Sequence, residues 1–594
     1  MNDRKAKLII GSLLHDIGKV IYREGGDKRN HSVSGYDYLK EEADIKEKEI
    51  LDCVKYHHAL LLKSANLEDD NLAYITYIAD NIAAFADRRE KENVDDKGFE
   101  IAVPLQSIFN ILNGNKQEYY YQPGDMDPES GINYPSEEKK NFSQTFYIKI
   151  RQRITDNLRG IDWNDEYVNS LLAVMEANLS YVPSSTAKAE LADISLFDHV
   201  KFTAAVASCI YDYLNAGKKN CKDELFTKEK EFYDRQAFLL CSLDISGIQN
   251  FIYTITSQNA LRTLRARSFY LEIMMEHIID TLLEKLELSR ANLLYSGGGH
   301  CYLLLANTED TLHKLEDWKK ELKLWFLKHF QNELFVACGY VKCSANSLRN
   351  IPEGSYSEMF RGVGEKLSAE KMHRYEADEI IWLNSQKADD YTKECKVCKH
   401  VGKVSEDGLC PLCSKIQKLS NNVLYSDFFS VVLEGEADGL PLPGGYLLLA
   451  DDEKTLSKRM EKDSYFVRVY AKNQMYTGKH IATKLWVGDY TTGDTFEKFA
   501  QKAEGIKRIG VLRADVDNLG QTFVAGFAGK YATLSRTAAL SRQLSIFFKY
   551  YIRSILKNGE YHIDGEKKLT ERNATIVYSG GDDVFIVGAW NEVI

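Results

Sequence analysis

The chain has 594 residues, enough for several domains, and its 44% hydrophobic and 27% charged content is that of a globular protein. A net charge of −11 leaves any nucleic-acid contact to local basic patches, nine prolines argue against long disordered arms, and no apolar run is long enough to span a membrane. Eleven cysteines, four of them clustered, point to a reducing, cytoplasmic setting with one metal site, and no signal peptide opens the chain.

Residues 7–22 (KLIIGSLLHDIGKVIY) place apolar residues at helical spacing and carry the adjacent pair His15 and Asp16. His31 follows in a polar loop, His57 and His58 lie in residues 50–62 (ILDCVKYHHALLL), and Asp80 lies on a helix-like run over 74–85. Imidazoles and carboxylates from several helices are the ligand types of a phosphohydrolase centre, able to hold one or two transition ions with positions left for water and phosphate. The bland alternative is a helical domain whose histidines are satisfied structurally. Residues 113–142, with Pro123, Pro128 and Pro135, read as irregular, and helices are expected over 163–179 and 197–214. Within DISLFDH (193–199), Asp198 reads as a helix cap and His199 as a core or interface residue, neither with a chemical role.

A strand over 239–243 leads to a helix near Gly247, and a longer helix over 261–286 opens with Arg262, Arg265 and Arg267. These arginines read either as forks for nucleotide or RNA phosphates or as an ion-paired face. Cys395-x₂-Cys398 and Cys410-x₂-Cys413 have zinc-ribbon spacing, with four thiolates for one closed structural Zn²⁺ site. Strand-like runs at 428–433, 446–449 and 466–470 precede a β-α-β-β pattern: strand 508–515, helix 531–557, strand 574–578 and strand 584–589. Its hairpin tip is Tyr578-Ser579-Gly580-Gly581-Asp582-Asp583. Residues two apart on a strand share a face, so Asp515 and Asp517 are expected to point together at that tip. Such a cluster of carboxylates needs cations, and hard oxygen ligands suit Mg²⁺ or Mn²⁺. Asp515 and Asp582 are the first candidates as ligands, with Asp583 assisting and Asp517 a further candidate.

The pattern occurs twice. Residues 239–251 (LLCSLDISGIQNF) align with 511–523 (VLRADVDNLGQTF), and 294–306 (LYSGGGHCYLLLA) with 577–589 (VYSGGDDVFIVGA). Asp244 then falls on Asp515, Ser246 on Asp517, and Gly299 and His300 on Asp582 and Asp583. One copy keeps its carboxylates and the other has lost three of four.

With its degenerate first palm, GGDD second palm, LLHDIGK start, DISGIQNFI and LRARSFYLE runs and four-cysteine element, the chain resembles the large subunit of type III-A CRISPR effector complexes. The resemblance implies a multidomain α+β fold. Its expected parts are a helical HD domain (1–100), a helical connector (101–235), a degenerate ferredoxin-like palm (236–388), a zinc ribbon (389–425) and a second palm (426–594). The family's C-terminal helical domain is expected to be missing, with the second palm incomplete where the sequence stops. By residue match, His15 and Asp16 are implied as catalytic metal ligands of a Mn-, Ni- or Co-type site that cuts single-stranded DNA, with Asp80, His31 and one of His57 and His58 completing it. The resemblance also implies synthesis of cyclic oligoadenylates from ATP. Asp515, Asp582 and Asp583 would be the catalytic residues; Ser579, Gly580 and Gly581 would let the hairpin approach triphosphate, and Ser296, Gly297 and Gly298 would hold a second ATP. Implied partners are guide CRISPR RNA, complementary target RNA and sister subunits, with no membrane. Two other functions fit parts of the sequence. One is a cyclic-dinucleotide cyclase paired with a phosphodiesterase, against which the turn lacks a GGDEF signature; the other is an inert RNA-binding scaffold, against which the carboxylates are retained.

Overall fold

The computed structural model describes the chain except residues 88–97, 127–131, 257–258, 388–389, 436–437, 476–477, 479–481, 494, 564–565, 570 and 582, and the side chains of 482, 560–563 and 566–569. Asp582, a candidate ligand, and Pro128 therefore lie outside the described residues.

The amino-terminal lobe is helical. Asp3–Leu14, His31–Glu41, Lys48–Lys55 and Ala73–Asp87 are its first main helices. The expected boundary near residue 100 does not separate two cores. Ile9, Leu13, Leu39 and Ile50 share one apolar cluster with Ile150, Leu171 and Val200 of helices Gln144–Leu158, Val168–Leu179 and Leu196–Ala216. The physical reason is amphipathicity: each short amino-terminal helix buries its apolar stripe against a later one. Residues 113–142 are irregular where described, with isolated bridges from Tyr120 to Gln106 and Ser136.

The first palm is a four-stranded antiparallel sheet in the order 293–297, 300–306, 238–246, 335–343. This is the ferredoxin-like order, since the first and third strands of the motif are central. Its central strand reads as a continuous apolar run, FLLCSL, because both faces are covered. Leu239, Cys241 and Leu243 face the long helix Ala260–Lys285, while Leu240 joins the cluster containing helices Leu196–Ala216 and Ser355–Met372. The second palm contributes the strand order Ile509–Asp515, Asp583–Ala589, Ala574–Gly580, matching the first three strands of the other copy.

The strands preceding it do not join that sheet. Residues 428–485 form a separate five-stranded sheet in the order 440–442, 446–451, 428–433, 466–472, 482–485. It packs on the opposite side of helix Ala260–Lys285, where the Phe269 and Phe429 rings lie 4.5 Å apart. Between the two, helix Pro411–Tyr425 rises directly from the cysteine cluster, with Pro411 in its first turn. No helix among the described residues is long and apolar enough to cross a membrane.

Candidate active sites

The first site forms where helix Asp3–Leu14 ends. His15 donates Nδ1–H back to the Ser12 carbonyl at 2.7 Å, and His57 does the same to Val54 at 2.7 Å. Each bond fixes a tautomer whose Nε2 lone pair faces the centre. Gly18 of the LLHDIGK run is required by close approach: a Cβ there would lie 1.8 Å from the His31 carbonyl oxygen, so only glycine lets helix His31–Glu41 deliver His31. Asp16 joins the two halves of the cluster. Its Oδ2 lies 3.5 Å from His15 Nε2 and 3.1 Å from His199 Nε2. Its Oδ1 lies 3.1 Å from His31 Nε2 and 3.7 Å from His57 Nε2. Asp80 Oδ1 is 3.5 Å from His15 and 3.2 Å from His199. The donors thus fall into two groups, His15, Asp16, Asp80 and His199, and His31, His57 and His58. Both His57 and His58 are present, each with Nε2 on His31 Nε2, at 3.4 and 2.9 Å.

The electrostatics suit cation binding. Burial pushes the Asp16 carboxyl up, but Lys19 and His15 overcome it and hold it well below the usual carboxylate range. Asp80 behaves alike: burial opposes, and the nearby His15 and His199 prevail. Burial, with His58 and His15 nearby, pushes His57 well down, and burial drives His58 to about 4. The result is two ionised carboxylates with His57 and His58 held toward the neutral form, while at His199 burial is outweighed by Asp16, Asp80 and Asp87, which raise it well above its ordinary value. His15 Nε2, His199 Nε2 and Asp80 Oδ1 are buried without a hydrogen-bond partner. Orphaned buried acceptors of this kind are costly unless a cation takes them, so the donor set fits one or two divalent ions.

His199 corrects the sequence reading, which gave it no chemistry. It is 2% exposed, and its Nδ1 is held by Asp87 Oδ2 at 2.6 Å, turning Nε2 into the centre. The Asp198 reading is corrected as well: the helix cap is Ser195, which accepts from the Asp198 N–H, and Asp198 lies in the first turn, accepts from Ser195 Oγ and pairs with Arg542.

The second site lies where the palms meet. In one copy Asp515 is directly opposite Asp583 across the ladder; in the other Asp244 is opposite His300. Both hairpins carry a register shift just before the tyrosine that the two copies share, between Ile576 and Tyr578 and between Leu293 and Tyr295. The repeat read from sequence is therefore register-true. Asp517 is not on the strand face as expected. The strand ends at Asp515, and Asp517 sits exposed in the turn before Asn518, which is left-handed.

A cavity of about 330 Å³ opens between the two tips, lined by Asp515, Asp583, Ser579, Gly580, Ser296, Gly297 and Gly298. Arg513 and Lys549 add two cations to its wall. The Lys549 ammonium pairs with Glu272, and Ser296 donates to Glu276 at 3.2 Å, which Arg290 holds at 2.7 Å. Asp583 accepts from the Tyr578 hydroxyl at 3.1 Å. Gly581 has a role that differs from the expected one. It has φ +67, and a Cβ there would lie 2.5 Å from the Gly298 nitrogen, so glycine allows the two tips to touch each other. Lys549 and Arg513 were missed in the sequence. Arg513 was discoverable, because it lies two residues before Asp515 on the same strand.

Two arginines of the LRAR run are buried and internally engaged. Arg265 donates to Thr575 Oγ1 of the second palm at 2.6 Å. Arg267 donates to the Phe251 carbonyl at 2.9 Å and to Cys413 Sγ at 3.3 Å. Their fork geometry ties domains together, which corrects the phosphate-facing reading. The four cysteine sulfurs lie within 4.8 Å of one another, and Cys398 and Cys410 are 3.7 Å apart. A tetrahedron with metal–sulfur bonds of about 2.3 Å has edges of about 3.8 Å, so the thiolate set fits a closed metal site.

Residues 1–84 match the HD domain family, 237–386 the Csm1 subunit domain B, and 508–594 the second palm domain of Cas10/Cmr2. A protein of Enterococcus italicus, the CRISPR system single-strand-specific deoxyribonuclease Cas10/Csm1 (subtype III-A), is 42% identical over 616 residues, covering 100% of this chain and 79% of its own. Two solved structures share the fold. A Csm1–Csm4 subcomplex of the type III-A interference complex has a TM-score of 0.76 at 24% identity, covering 99% of this chain and 76% of the other. A Csm1–Csm4 cassette in complex with cA4 has a TM-score of 0.74 at 23% identity, covering 99% and 75%.

Proposed function

Because the chain belongs to the Cas10/Csm1 family of subtype III-A, we propose that it is the large subunit of a type III-A CRISPR interference complex with two activities, both switched on by target RNA paired with a guide CRISPR RNA. At the palms it joins ATP into cyclic oligoadenylates; at the HD centre it cuts single-stranded DNA. The observation that supports the palm reading is the shared cavity, in which the carboxylate pair Asp515 and Asp583 faces the carboxylate-poor tip of the other copy. One palm is equipped to activate a triphosphate, and the other to seat an acceptor nucleotide without metal ligands of its own.

Asp515 and Asp583, with Asp582, hold the divalent ions, of the Mg²⁺ or Mn²⁺ type. When bound, such ions neutralise the triphosphate and favour the ionised 3′-hydroxyl. Arg513 and Lys549 take phosphate oxygens and the leaving pyrophosphate. Ser296, Gly297 and Gly298 orient the acceptor so that its 3′-hydroxyl meets the α-phosphate, and catalysis is mostly positioning and charge neutralisation. At the HD centre, His15, Asp16, His31, His57, His58, Asp80 and His199 hold ions of the Mn, Ni or Co type. Asp16, reaching both donor groups, keeps the two halves in register. Cys395, Cys398, Cys410 and Cys413 hold a structural Zn²⁺. All eleven cysteines are free of disulfides, as suits work in the cytoplasm beside sister subunits.

The test uses the protein assembled with guide RNA and sister subunits, given ATP with Mg²⁺ or Mn²⁺ with and without complementary RNA, and products resolved by mass. Target-dependent cyclic oligoadenylate that disappears in Asp583→Ala supports the palm reading. Single-stranded DNA cleavage with no cyclic product would leave the HD centre as the working enzyme and reduce the palms to a scaffold.

A further inference from the structure

Helix Leu534–Ile546 of the second palm lies against the HD lobe and sends two arginines into it. Arg536 is fully buried. Its Nε and Nη2 donate to the two oxygens of Asp193, each at 2.8 Å. Its Nη1 donates to the Ala86 carbonyl at 3.3 Å and Nη2 to the Asp87 carbonyl at 3.1 Å. Both carbonyls belong to the last described turn of helix Ala73–Asp87. The guanidinium therefore grips the backbone of the helix that carries both Asp80 and Asp87. Arg542 grips Asp198, with Nε at 2.8 Å and Nη2 at 2.7 Å, one residue before His199. Asp87 in turn holds His199 Nδ1, which sets the direction of Nε2.

We propose that Arg536 is a positioning residue of the HD centre: it holds helix Ala73–Asp87 at Ala86 and Asp87 so that Asp87 orients His199 toward Asp16 and Asp80, and the second palm thereby completes the nuclease metal site. This rests on the reading of the HD centre as a divalent-ion site. The physical argument is one of rigidity. His199 is more than 100 residues from Asp80 in sequence, and the two meet only if helices Ala73–Asp87 and Leu196–Ala216 keep a fixed offset. Arg536 and Arg542 are planar forks with bidentate grips on Asp193 and Asp198, just before and within the first turn of helix Leu196–Ala216, and Arg536 also reaches the Ala86 and Asp87 carbonyls of the other helix; both arginines belong to a single helix of another domain. Partners behind a ligating imidazole fix its ring and tautomer, and their loss weakens metal binding without removing a ligand.

The experiment measures Mn²⁺ affinity of the full chain by calorimetry and electron paramagnetic resonance, in an Asp515→Ala, Asp583→Ala background that silences the palm. Asp87→Asn, which preserves volume and leaves the Arg536 contacts to backbone intact, is expected to weaken Mn²⁺ binding at least about tenfold, and Arg536→Met by a similar factor. If Arg536 acts through Asp87, the double variant is expected to lose much less than the product of the two factors, a coupling that a general loss of packing would not give. Asp193→Asn, which frees one side of Arg536 at constant volume, should weaken binding in the same direction and serves if Arg536→Met does not fold. Unchanged affinity in Arg536→Met or Asp193→Asn, or strictly multiplicative effects with Asp87→Asn, overturns the proposal. A background protein that binds no Mn²⁺, and is unaffected by Asp16→Asn, overturns the HD reading itself and this inference with it.

Discussion

The two palms have the same backbone and opposite electrostatics. In the first, Asp244 carries its own counter-charges: His300 Nδ1 at 3.1 Å and Lys371 Nζ at 2.9 Å. In the second, the equivalent Asp515 faces another carboxylate, Asp583, at the same ladder position. Strand register is set by which residues are buried, and slipping by one would exchange the side chains that face the two packed sides. The scaffold therefore survives loss of the carboxylates, because Leu239 to Leu243 and Cys301 to Leu305 still specify it. What changes is the source of neutralisation. One copy supplies it from side chains, whereas the other sets Asp515 opposite a second carboxylate on the neighbouring strand.

The sharpest way to break this comparison is to remove one carboxylate from each copy. Asp515→Ala should cut cyclic product formation roughly 1,000-fold, the several kcal/mol of charge stabilisation that metal ligation provides. Asp244→Ala should cost less than about tenfold, since its charge is already spent on His300 and Lys371. Rates per assembled complex decide it, and equal losses would mean that both copies bear catalytic metal. A smaller effect separates the adjacent glycines. Gly581→Ala combines a left-handed φ of +67 with a Cβ 2.5 Å from the Gly298 nitrogen, so the tips must separate. Misplacement of reacting groups on that scale costs about 100-fold. Gly580→Ala meets nothing nearer than 3.8 Å and should stay within about threefold. Steady-state synthesis by the two variants measures the difference, and an active Gly581→Ala would mean that contact between the tips is dispensable.

Much of this was legible in the sequence, for reasons that also explain the omissions. The alignment of Asp244 with Asp515 and His300 with Asp583 held because YSGG occurs in both copies and fixes the register of both hairpins. His15, Asp16 and Asp80 were readable because a strongly periodic helix carries Asp80 and another ends directly before His15 and Asp16. His199 and Asp87 were not, because their pairing is purely tertiary and His-Asp contacts across more than 100 residues leave no local spacing. Asp517 failed for the opposite reason: the period-two rule was extended two residues past the end of the strand, where left-handed Asn518 turns the chain away. The LRAR arginines misled because a charged run at a helix start is normally solvated, yet Arg265 and Arg267 are 4% and 2% exposed. The sheet over 428–485 carried strand patterns but no signal of its partners, which include a parallel pair, 466–472 with 482–485.

The smallest expected effect tests whether the first palm really neutralises itself. Burial raises the Asp244 carboxyl, but His300 and Lys371 outweigh it and leave it below the ordinary value. A carboxyl depressed in the folded state contributes stability above its unfolded pKa, about 3.9, and loses that contribution as pH falls through the folded value. Lys371 is a little over one-third exposed, so solvent screening limits the pair to about 0.5–1 kcal/mol. Lys371→Met should therefore lower unfolding stability by that amount at pH 7, and the deficit should shrink toward zero in acid once Asp244 is protonated in both proteins. Denaturant unfolding at pH 7 and near pH 3 measures it. A deficit that stays constant with pH would mean that Lys371 stabilises the palm by packing its aliphatic stem, leaving His300 as the polar partner of Asp244 in this copy.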